Sequence, residues 1–258
     1  MRFKISFNRT GKQRMLPMDY QYYLGAWIYK VIGKADPGFA TFLHEQGYAD
    51  GNKNFKLFGY SPLNFGKPIL WKEKSLFEIN ANTLTIEVGF YIPDAAERFI
   101  VGLFTQQEVF VGDRFNGIDL TVSQVERLPD PTITETQQYR ALSPVVVSIM
   151  PEGEKYARYL APTDEDYTML LKNNLVQKLK TIPNTPVLPI NFEFDFELKG
   201  SSKSKLATMK PGTAQQSKVR GYVFDFELKA PLEIHRLIVS SGIGEKNSTG
   251  FGWVEGVK

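Results

Sequence analysis

The sequence predicts an α+β protein made of two tandem ferredoxin-like domains, a topology shared by RRM-like modules. The order strand–helix–strand–strand–helix–strand can be traced twice along the 258 residues. A proline-containing segment, Leu128–Thr132, separates the two rounds, and such segments mark turns and boundaries. A chain of this length forms one large domain or two of ordinary size. We therefore expect an N-terminal domain over residues 1–128 and a C-terminal domain over residues 133–258.

The elements of the first round are predicted from the spacing of apolar residues. Phe3, Ile5 and Phe7 alternate with polar residues, as in a half-buried strand. Between Tyr20 and Ile32 the apolar residues recur at helical spacing instead. The predicted strands are Arg2–Asn8, Phe55–Tyr60, Ile69–Ile79, Thr83–Tyr91, Val109–Val111 and Ile118–Arg127, and the predicted helices are Tyr20–Ile32, Gly38–Gln46 and Pro93–Gln106.

The second round contains two segments with near-identical text, Phe194–Lys199 and Phe224–Lys229, which we predict to be matching strands. The predicted helix Asp164–Thr181 has acidic residues in its first turn and lysines in its last turn, which complements the helix dipole. The predicted strands are Ser143–Met150, Ala157–Leu160, Asn191–Lys199, Lys218–Lys229 and Phe251–Val257, and the predicted helices are Asp164–Thr181 and Leu232–Val239.

Composition limits the classes of protein to which this chain can belong. With 31 basic and 28 acidic residues the net charge is +3, so a nucleic-acid surface has to come from local clusters of cations. The absence of cysteine excludes disulfides and cysteine-based metal or nucleophile sites. No apolar run is long enough to cross a bilayer, and the N-terminus begins a strand rather than a signal peptide. We therefore expect a soluble cytoplasmic protein without a membrane partner.

A glycine-rich loop near the C-terminus is the segment most suggestive of ligand binding. Glycine allows positive φ and close approach to the main chain, and successive exposed N–H groups suit phosphate oxygens. Lys246 adds a positive charge, although glycine clusters also occur in plain turns. The glycines are Gly242, Gly244, Gly250 and Gly252, and the residues between them that we predict to contact a phosphate backbone include Lys246, Asn247 and Ser248.

This loop does not fit the phosphate-binding motifs of nucleotide enzymes. The dinucleotide fingerprint requires a third glycine where this chain has Asn247, and a P-loop requires Lys after the glycine where this chain has Phe251. The segment Phe251–Val257 alternates like a strand rather than a helix. A polymer backbone lying on the loop is therefore favoured over a nucleotide bound at the start of a helix.

The two histidines are the residues best suited to proton transfer. His44 follows Leu43 near the end of the predicted helix Gly38–Gln46, where a positive charge is favoured, and imidazole exchanges protons near neutral pH. A solitary helix histidine is nevertheless more often structural than catalytic. His235 follows Glu233 in a short predicted helix with no H-x-x-x-H pair or dense carboxylate group nearby. We expect a structural role for His235, and no metal ion or other cofactor.

Two stretches together resemble one known family. Gly242–Val254 is similar to the glycine-rich loop of the CRISPR-associated repeat-processing endoribonucleases, in the repeat-associated mysterious protein superfamily. His44–Tyr48 followed by Lys53–Ser61 resembles the family's histidine, its Gly-Tyr pair and the basic strand after it. The resemblance implies a metal-independent endoribonuclease that cuts CRISPR repeat precursor RNA into guide RNAs. Attack by the 2′-hydroxyl would leave 2′,3′-cyclic phosphate and 5′-hydroxyl ends.

The same resemblance implies roles for individual residues. His44 is the expected proton-transfer group, and Tyr29 on the preceding helix is its expected partner. Lys53 is the expected catalytic lysine, which would stabilise charge on the phosphorane, with Lys56 as its rival and as a candidate RNA contact.

A basic segment between the two matching strands is a second candidate RNA-binding surface. It holds six cations and no acid, and it is predicted to be a long loop. Such a loop is either mobile and solvated or functional, and we favour RNA contact because long loops in compact folds tend to be functional. The six cations are Lys199, Lys203, Lys205, Lys210, Lys218 and Arg220.

Two other functions remain in competition with the endoribonuclease. A non-catalytic subunit that holds repeat RNA within a CRISPR effector complex would share the fold and the basic surface. A phosphometabolite enzyme that uses the glycine-rich loop is disfavoured, since no nucleotide motif or metal site accompanies the loop. The sequence leaves the oligomeric state open between monomer and homodimer, and association with a CRISPR effector complex also stays open.

Overall fold

The computed structural model describes residues 1–183, 185, 188–189 and 191–257. In the first half the strands are β1 (Arg2–Arg9), β2 (Met15–Pro17), β3 (Tyr48–Asp50), β4 (Lys53–Phe55), β5 (Phe58–Tyr60), β6 (Ile69–Trp71), β7 (Leu76–Glu78), β8 (Thr83–Phe90), β9 (Glu108–Gly112) and β10 (Gly117–Arg127). The helices of this half are α1 (Tyr20–Ala35), α2 (Pro37–Thr41) and α3 (Pro93–Thr105).

The first half forms an antiparallel sheet in the order β5-β8-β1-β10-β9. Without β9, this is the strand order of a ferredoxin-like fold, with β1 between β8 and β10. Phe3, Ile5 and Phe7 of β1 are buried, because every second residue of a strand faces the same side of the sheet. Trp27 of α1 lies edge-on to Phe7, with ring centroids 5.6 Å apart, so this helix covers the buried face.

The second half repeats this arrangement. Its sheet has the order β14-β15-β11-β16, and α4 and α5 contribute buried residues to the same core. The prediction of two tandem ferredoxin-like folds is therefore confirmed. No helix of the described chain is both long enough and apolar enough to cross a membrane. The elements are β11 (Thr136–Ala141), β12 (Ser148–Ile149), β13 (Arg158–Tyr159), α4 (Tyr167–Lys180), β14 (Asp195–Met209), β15 (Ser217–Lys229), α5 (Leu232–Ser241) and β16 (Val254–Gly256).

The first strand of the second sheet is not where the sequence predicts it. The predicted strand Ser143–Met150 contains only the short β12, and the central strand is β11, seven residues earlier at its start. β11 reads Thr-Gln-Gln-Tyr-Arg-Ala, and only Tyr139 and Ala141 are buried, so its apolar pattern is weak. The valines at 145–147 are buried outside a regular strand, so their apolar run predicts burial but not a place in the sheet.

The basic segment Lys199–Arg220 is not a long loop. β14 and β15 continue through it as an antiparallel hairpin, with residues paired from Lys203↔Val223 to Met209↔Ser217. The connection between the strands is confined to residues 210–216. The prediction of a loop was wrong because serine, threonine and lysine are tolerated on exposed strands, where no apolar alternation is required.

Other predicted elements are interrupted at specific residues. Gly38–Gln46 divides into α2 and a single π-helical turn, Phe42–Gln46. Ile69–Ile79 divides into β6 and β7 around the short 3₁₀ turn Lys72–Lys74. Phe55–Tyr60 is broken at Leu57, whose φ is +53°. The last strand begins at Val254 rather than at residue 251.

The two sheets are held together by the end of α5. The carbonyls of Ser240 and Ser241 lie against Gly89 and Gly59, and a Cβ atom at Gly59 would be 2.7 Å from the Ser241 oxygen. The Trp253 ring lies at the same contact, with the Arg2 guanidinium 4.9 Å from its centroid. The glycine-rich loop, which starts directly after α5, is therefore positioned against the N-terminal half.

Candidate active site in the interdomain cleft

A cleft of about 1170 Å³ lies between the two halves. Its walls come from α1, the π-helical turn, the β4–β5 segment, α4, the tip of the basic hairpin and the glycine-rich loop. The acidic side chain in its wall is Glu245, so positive charge predominates. The cationic side chains that line the cleft are Lys53, Lys56, Lys178, Lys180, Lys210 and Lys246.

His44 is presented to the cleft by the π-helical turn. Leu43 is fully buried in the N-terminal core, and His44, the next residue, is exposed. The turn closes with a hydrogen bond from the Gly47 amide to the Phe42 carbonyl, 2.7 Å long, and Gly47 has φ of +66°. Such wide turns occur often at functional sites, because the additional residue redirects a side chain.

Tyr29 of α1 is the aromatic neighbour of His44. The two rings meet edge-on with centroids 5.1 Å apart, and Phe58 lies edge-on to Tyr29 at 5.4 Å. Burial raises the pKa of the Tyr29 hydroxyl to about 12, while the Ser248 side chain opposes that rise. The hydroxyl therefore keeps its proton near neutral pH and is available as a hydrogen-bond donor beside the imidazole.

The two candidate lysines lie on the same cleft wall but have different partners. Lys53 Nζ donates a hydrogen bond to Gln177 Oε1 on α4, 2.9 Å away, so it reaches across to the C-terminal half. Lys56 Nζ donates to the backbone carbonyl of His44 at 2.8 Å. Burial lowers the pKa of the Lys56 ammonium. Lys56 thus holds the turn that carries His44, whereas the partner of Lys53 is a neutral side chain.

The glycine-rich loop is compact because its glycines adopt conformations that other residues disfavour. Gly242, Gly244, Gly250 and Gly252 all have positive φ, and a Cβ atom at Gly252 would collide with the Ile243 carbonyl.

Many amides of this loop are used within the protein. Those of Gly242, Ile243, Glu245 and Gly252 donate to backbone carbonyls, and Gly242 and Gly244 are buried. These two predicted phosphate contacts therefore shape the loop, and Lys246 is its exposed cation.

Asn247, another predicted RNA contact, is buried inside the loop. Its Nδ2 donates to the carbonyls of Ile243 and Phe251, both at 3.0 Å, and so joins the two arms of the loop. Beyond it, Ser248 is half-buried beside Tyr29 and lines the cleft.

α1 and the glycine-rich loop are in direct contact. Gln21 Nε2 donates to the Gly250 carbonyl at 3.3 Å. A Cβ atom at Gly25 would be 3.1 Å from the Ser248 carbonyl and 2.8 Å from the Tyr60 hydroxyl. Glycine at position 25 therefore permits the approach that brings Ser248 to the side of Tyr29.

The cations of the basic hairpin face different directions. Lys210, at its tip, lines the cleft. Val219 is buried, and Lys218 and Arg220 alternate with it, so they lie on the opposite face of the hairpin, away from the buried one. Lys203 and Lys205 are exposed on β14, which is the edge strand of the sheet.

Lys199 differs again, because it forms ion pairs with Glu197 at 2.7 Å and Glu227 at 3.5 Å. Of the predicted cations of this segment, only Lys210 is gathered into the cleft of the described structure.

Sequence reasoning missed the contribution of α4 to the cleft. Gln177, Lys178 and Lys180 lie in its last turns and line the same cleft as His44. The lysines were attributed to the helix dipole, and helical spacing alone does not show which face meets another domain. Within the described residues, no group of three or more His, Cys, Asp or Glu side chains lies close enough together to hold a metal ion.

His235 lies outside the cleft wall, in the core of the C-terminal half, and is fully buried. Its Nδ1 is 2.9 Å from the Tyr139 hydroxyl, and its Nε2 is 3.0 Å from the Glu135 carbonyl. A neutral ring satisfies both partners, with Nε2 donating and Nδ1 accepting. Burial lowers the pKa of this imidazole. The geometry agrees with the structural role expected for His235.

Comparison with known proteins identifies the family. Residues 128–256 match the family described as CRISPR associated protein Cas6, C-terminal, and residues 15–126 match CRISPR-associated protein Cas6, N-terminal. A CRISPR-associated endoribonuclease Cas6 of Pyrococcus furiosus is 30% identical over 99% of this chain and 89% of its own length. CRISPR-associated endoribonuclease Cas6 1 of Methanocaldococcus jannaschii is 26% identical over 100% of this chain and 93% of its own length.

The fold agrees with this assignment. A solved structure of a Cas6-related protein from Pyrococcus furiosus superposes with a TM-score of 0.82 at 22% identity, covering 100% of this chain and 98% of that one. That likeness bears on the fold alone, whereas the sequence matches extend over both halves of the chain. The chain therefore belongs to the Cas6 family of CRISPR-associated endoribonucleases.

Proposed function

We propose that this protein cuts CRISPR repeat precursor RNA without a metal ion and thereby releases guide RNAs. The 2′-hydroxyl at the cut attacks the adjacent phosphate, the bond to the 5′-oxygen breaks, and the products carry 2′,3′-cyclic phosphate and 5′-hydroxyl ends. The observation that supports this most is the juxtaposition of His44 and Tyr29 with the glycine-rich loop in one cationic cleft. RNA supplies its own nucleophile, so the protein has to align three atoms, move two protons and stabilise charge.

His44 is the proposed proton-transfer group, as base on the 2′-hydroxyl or as acid on the leaving 5′-oxygen. Its side chain is exposed to the cleft, and imidazole is the side chain whose proton exchange suits neutral pH. Tyr29 supports it as a hydrogen-bond donor, because a hydroxyl with a pKa of about 12 holds its proton at working pH. Replacing Tyr29 by Phe removes this donor and leaves the ring contact with His44 intact.

Lys53 is proposed to stabilise the charge of the phosphorane, and Lys56 to hold the π-helical turn. Lys56 already donates to the His44 carbonyl. Lys53 donates to the neutral side chain of Gln177, so it can leave this partner and bind phosphate oxygens without leaving a charged group unpaired. We expect Lys53→Ala to lower the cleavage rate with little change in RNA affinity. Lys56→Ala should lower both the cleavage rate and the melting temperature, because the π-helical turn loses its hydrogen bond to Lys56. The reverse pattern would exchange the two roles.

The RNA backbone is proposed to follow the cationic wall from the tip of the basic hairpin to the glycine-rich loop. Lys210 and Lys180 lie on that wall, and Lys246 and Ser248 come from the loop. Gly242, Gly244 and Asn247 act on the RNA through the shape of the loop. The cations outside the cleft contact RNA that extends beyond it: Lys199, Lys203, Lys205, Lys218 and Arg220.

The decisive experiment is cleavage of repeat RNA, taken from the CRISPR arrays of the same genome, by purified protein in EDTA. We expect cutting at one position, and a loss of about 10²- to 10⁴-fold in rate for His44→Ala with RNA binding retained, the range typical of a general acid or base. RNA with a single 2′-deoxyribose at the mapped cut should bind and stay whole. Cutting of that RNA would overturn the 2′-hydroxyl mechanism, and binding without any cutting by the unaltered protein would indicate a non-catalytic RNA-binding subunit.

A further inference from the structure

A buried lysine lies beneath the glycine-rich loop and has no role in the proposed reaction. Lys178 of α4 is 4% exposed, although lysine is almost never fully buried without a partner. Its Nζ donates to the Gly244 carbonyl and to Asn247 Oδ1, both at 2.6 Å. Neither partner is charged, and no ion pair to Lys178 occurs in the described residues.

The partners of Lys178 are the residues that set the shape of the loop. Asn247 receives the lysine bond on its oxygen while its nitrogen joins the carbonyls of Ile243 and Phe251. Glu245, the residue after Gly244, is fixed in turn by the Ser148 amide at 2.8 Å. The exposed Lys246 therefore lies between Glu245 and Asn247, whose side chains are both held by hydrogen bonds. α4 supports this part of the loop through the Lys178 ammonium group.

The protonation state of Lys178 is sensitive to its surroundings. Burial lowers the pKa of Lys178 from its ordinary value of 10.5 to about 7, and the negative charge of Glu245 opposes that shift. Both the charged and the neutral form are therefore populated near neutral pH. A neutral amine keeps two N–H donors but loses the charge that strengthens bonds to carbonyl oxygens.

We propose that Lys178 is a positioning residue for RNA binding: its ammonium holds the glycine-rich loop in the form that presents Lys246 and Ser248, and bound RNA in turn favours the charged ammonium. This inference rests on the proposed function. Phosphates brought to the loop attract the buried positive charge, so the RNA complex holds the Lys178 proton more tightly than the free protein does. Because linkage is reciprocal, RNA binding takes up protons and its affinity falls as the pH rises above about 7.

The other titratable groups here have to be separated from Lys178. The loop contributes Glu245 and Lys246, and α4 contributes Lys180. The titratable groups that the other elements bring to the same cleft are His44, Tyr29, Lys53, Lys56 and Lys210, and burial lowers the pKa of Lys56 as well. Of these types of group, histidine exchanges its proton nearest neutral pH. All variants are therefore compared in a His44→Ala background, which also prevents cutting.

The experiment measures the dissociation constant of fluorescent repeat RNA between pH 6 and pH 8.5. With Lys178 present we expect affinity to fall about 3- to 10-fold over this range, since a shift of one pKa unit on binding corresponds to about tenfold. Lys178→Arg, which stays charged, should bind with an affinity that changes little with pH. Lys178→Met keeps a side chain of similar length but has no charge. This variant should bind RNA more weakly at pH 6, and its affinity should not depend on pH.

A second measurement needs no substitution at Lys178, so it tests the inference even if the Lys178 variants fail to fold. Titration calorimetry of the protein with Lys178 intact, in buffers of different ionisation enthalpy near pH 7.5, should show net proton uptake when RNA binds. No proton uptake, or a Lys178→Met variant with the parent's pH dependence, overturns the inference. If the protein with His44 intact neither binds nor cuts repeat RNA, the proposed function itself fails, which is a different result.

Discussion

Gly25 is one of the residues of α1 that the glycine-rich loop approaches closely. Replacing it by Ala would put a Cβ atom 2.8 Å from the Tyr60 hydroxyl and 3.1 Å from the Ser248 carbonyl. Tyr60 is fully buried, and its hydroxyl donates to the Gln21 carbonyl at 2.6 Å, so it cannot move aside without losing that bond. Because Tyr60 is held in this way, α1 has to shift away from it, and the Ser248 carbonyl of the loop has to move by a few tenths of an ångström.

The expected change in stability is small, and the expected change in activity is larger. Overpacking costs about 1–3 kcal/mol, while alanine stabilises a helix by about 1 kcal/mol relative to glycine. Gly25→Ala should thus destabilise the protein by about 0–2 kcal/mol. Because a misplacement of about 1 Å in an active site costs about 10²-fold in rate, we expect cleavage to slow about tenfold.

Gly33→Ala is the matched control on the same helix. A Cβ atom there would meet only the Ala40 side chain at 3.4 Å, an ordinary contact. This variant should cut at the parent rate and gain about 0.5–1 kcal/mol in stability. The assay is the single-turnover rate with excess protein, together with the melting temperature. Equal rates for Gly25→Ala and Gly33→Ala would refute the idea that the contact of α1 with the loop positions the site.

Two further predictions follow from the faces of the hairpin and from the buried histidine. With an RNA too short to extend beyond the cleft, Lys210→Ala should weaken binding and reduce the slope of log affinity against log salt by about 0.7. Lys218→Ala, on the other face, should change that slope less, and equal effects of the two variants would contradict the assignment of faces. The pKa of His235 is lowered in the fold, so folding stability should be unaffected above the ordinary value of 6.5 and decrease as the pH falls from there to the lowered pKa. Urea unfolding should show this decrease in His44→Ala but not in His235→Gln, and its persistence in His235→Gln would assign it elsewhere.

The sequence predicts the fold best where one face of an element is buried. α1 and β1 were predicted within three residues of their ends because their apolar residues keep a helical or a strand period. β11 was missed although it is central in its sheet, since its text is polar and only Tyr139 and Ala141 are buried. The hairpin was missed for a related reason: its pairing depends on contacts between residues distant in sequence, which a local pattern does not contain.

The candidate site was accessible to sequence reasoning only in part. The resemblance drew attention to His44, Tyr29 and the glycine-rich loop, which line one cleft. It did not indicate that Asn247 is inside the loop, nor that Lys178 supports it from α4. The bond from Lys178 to Asn247 joins residues 69 positions apart, and such a pairing follows from how α4 docks rather than from the spacing of residues along it.

The position of one domain relative to the other is itself part of the proposed site. His44 and Tyr29 belong to the N-terminal half, while the loop that contacts Tyr29 through Ser248 belongs to the C-terminal half. The loop starts at Gly242, directly after the Ser241 carbonyl that lies against Gly59. A displacement of the Ser241 carbonyl relative to Gly59 therefore also displaces Gly242, because no residue lies between Ser241 and the start of the loop. Glycine at the interface and glycine in the loop consequently serve the same requirement, which is the close approach of two main-chain segments.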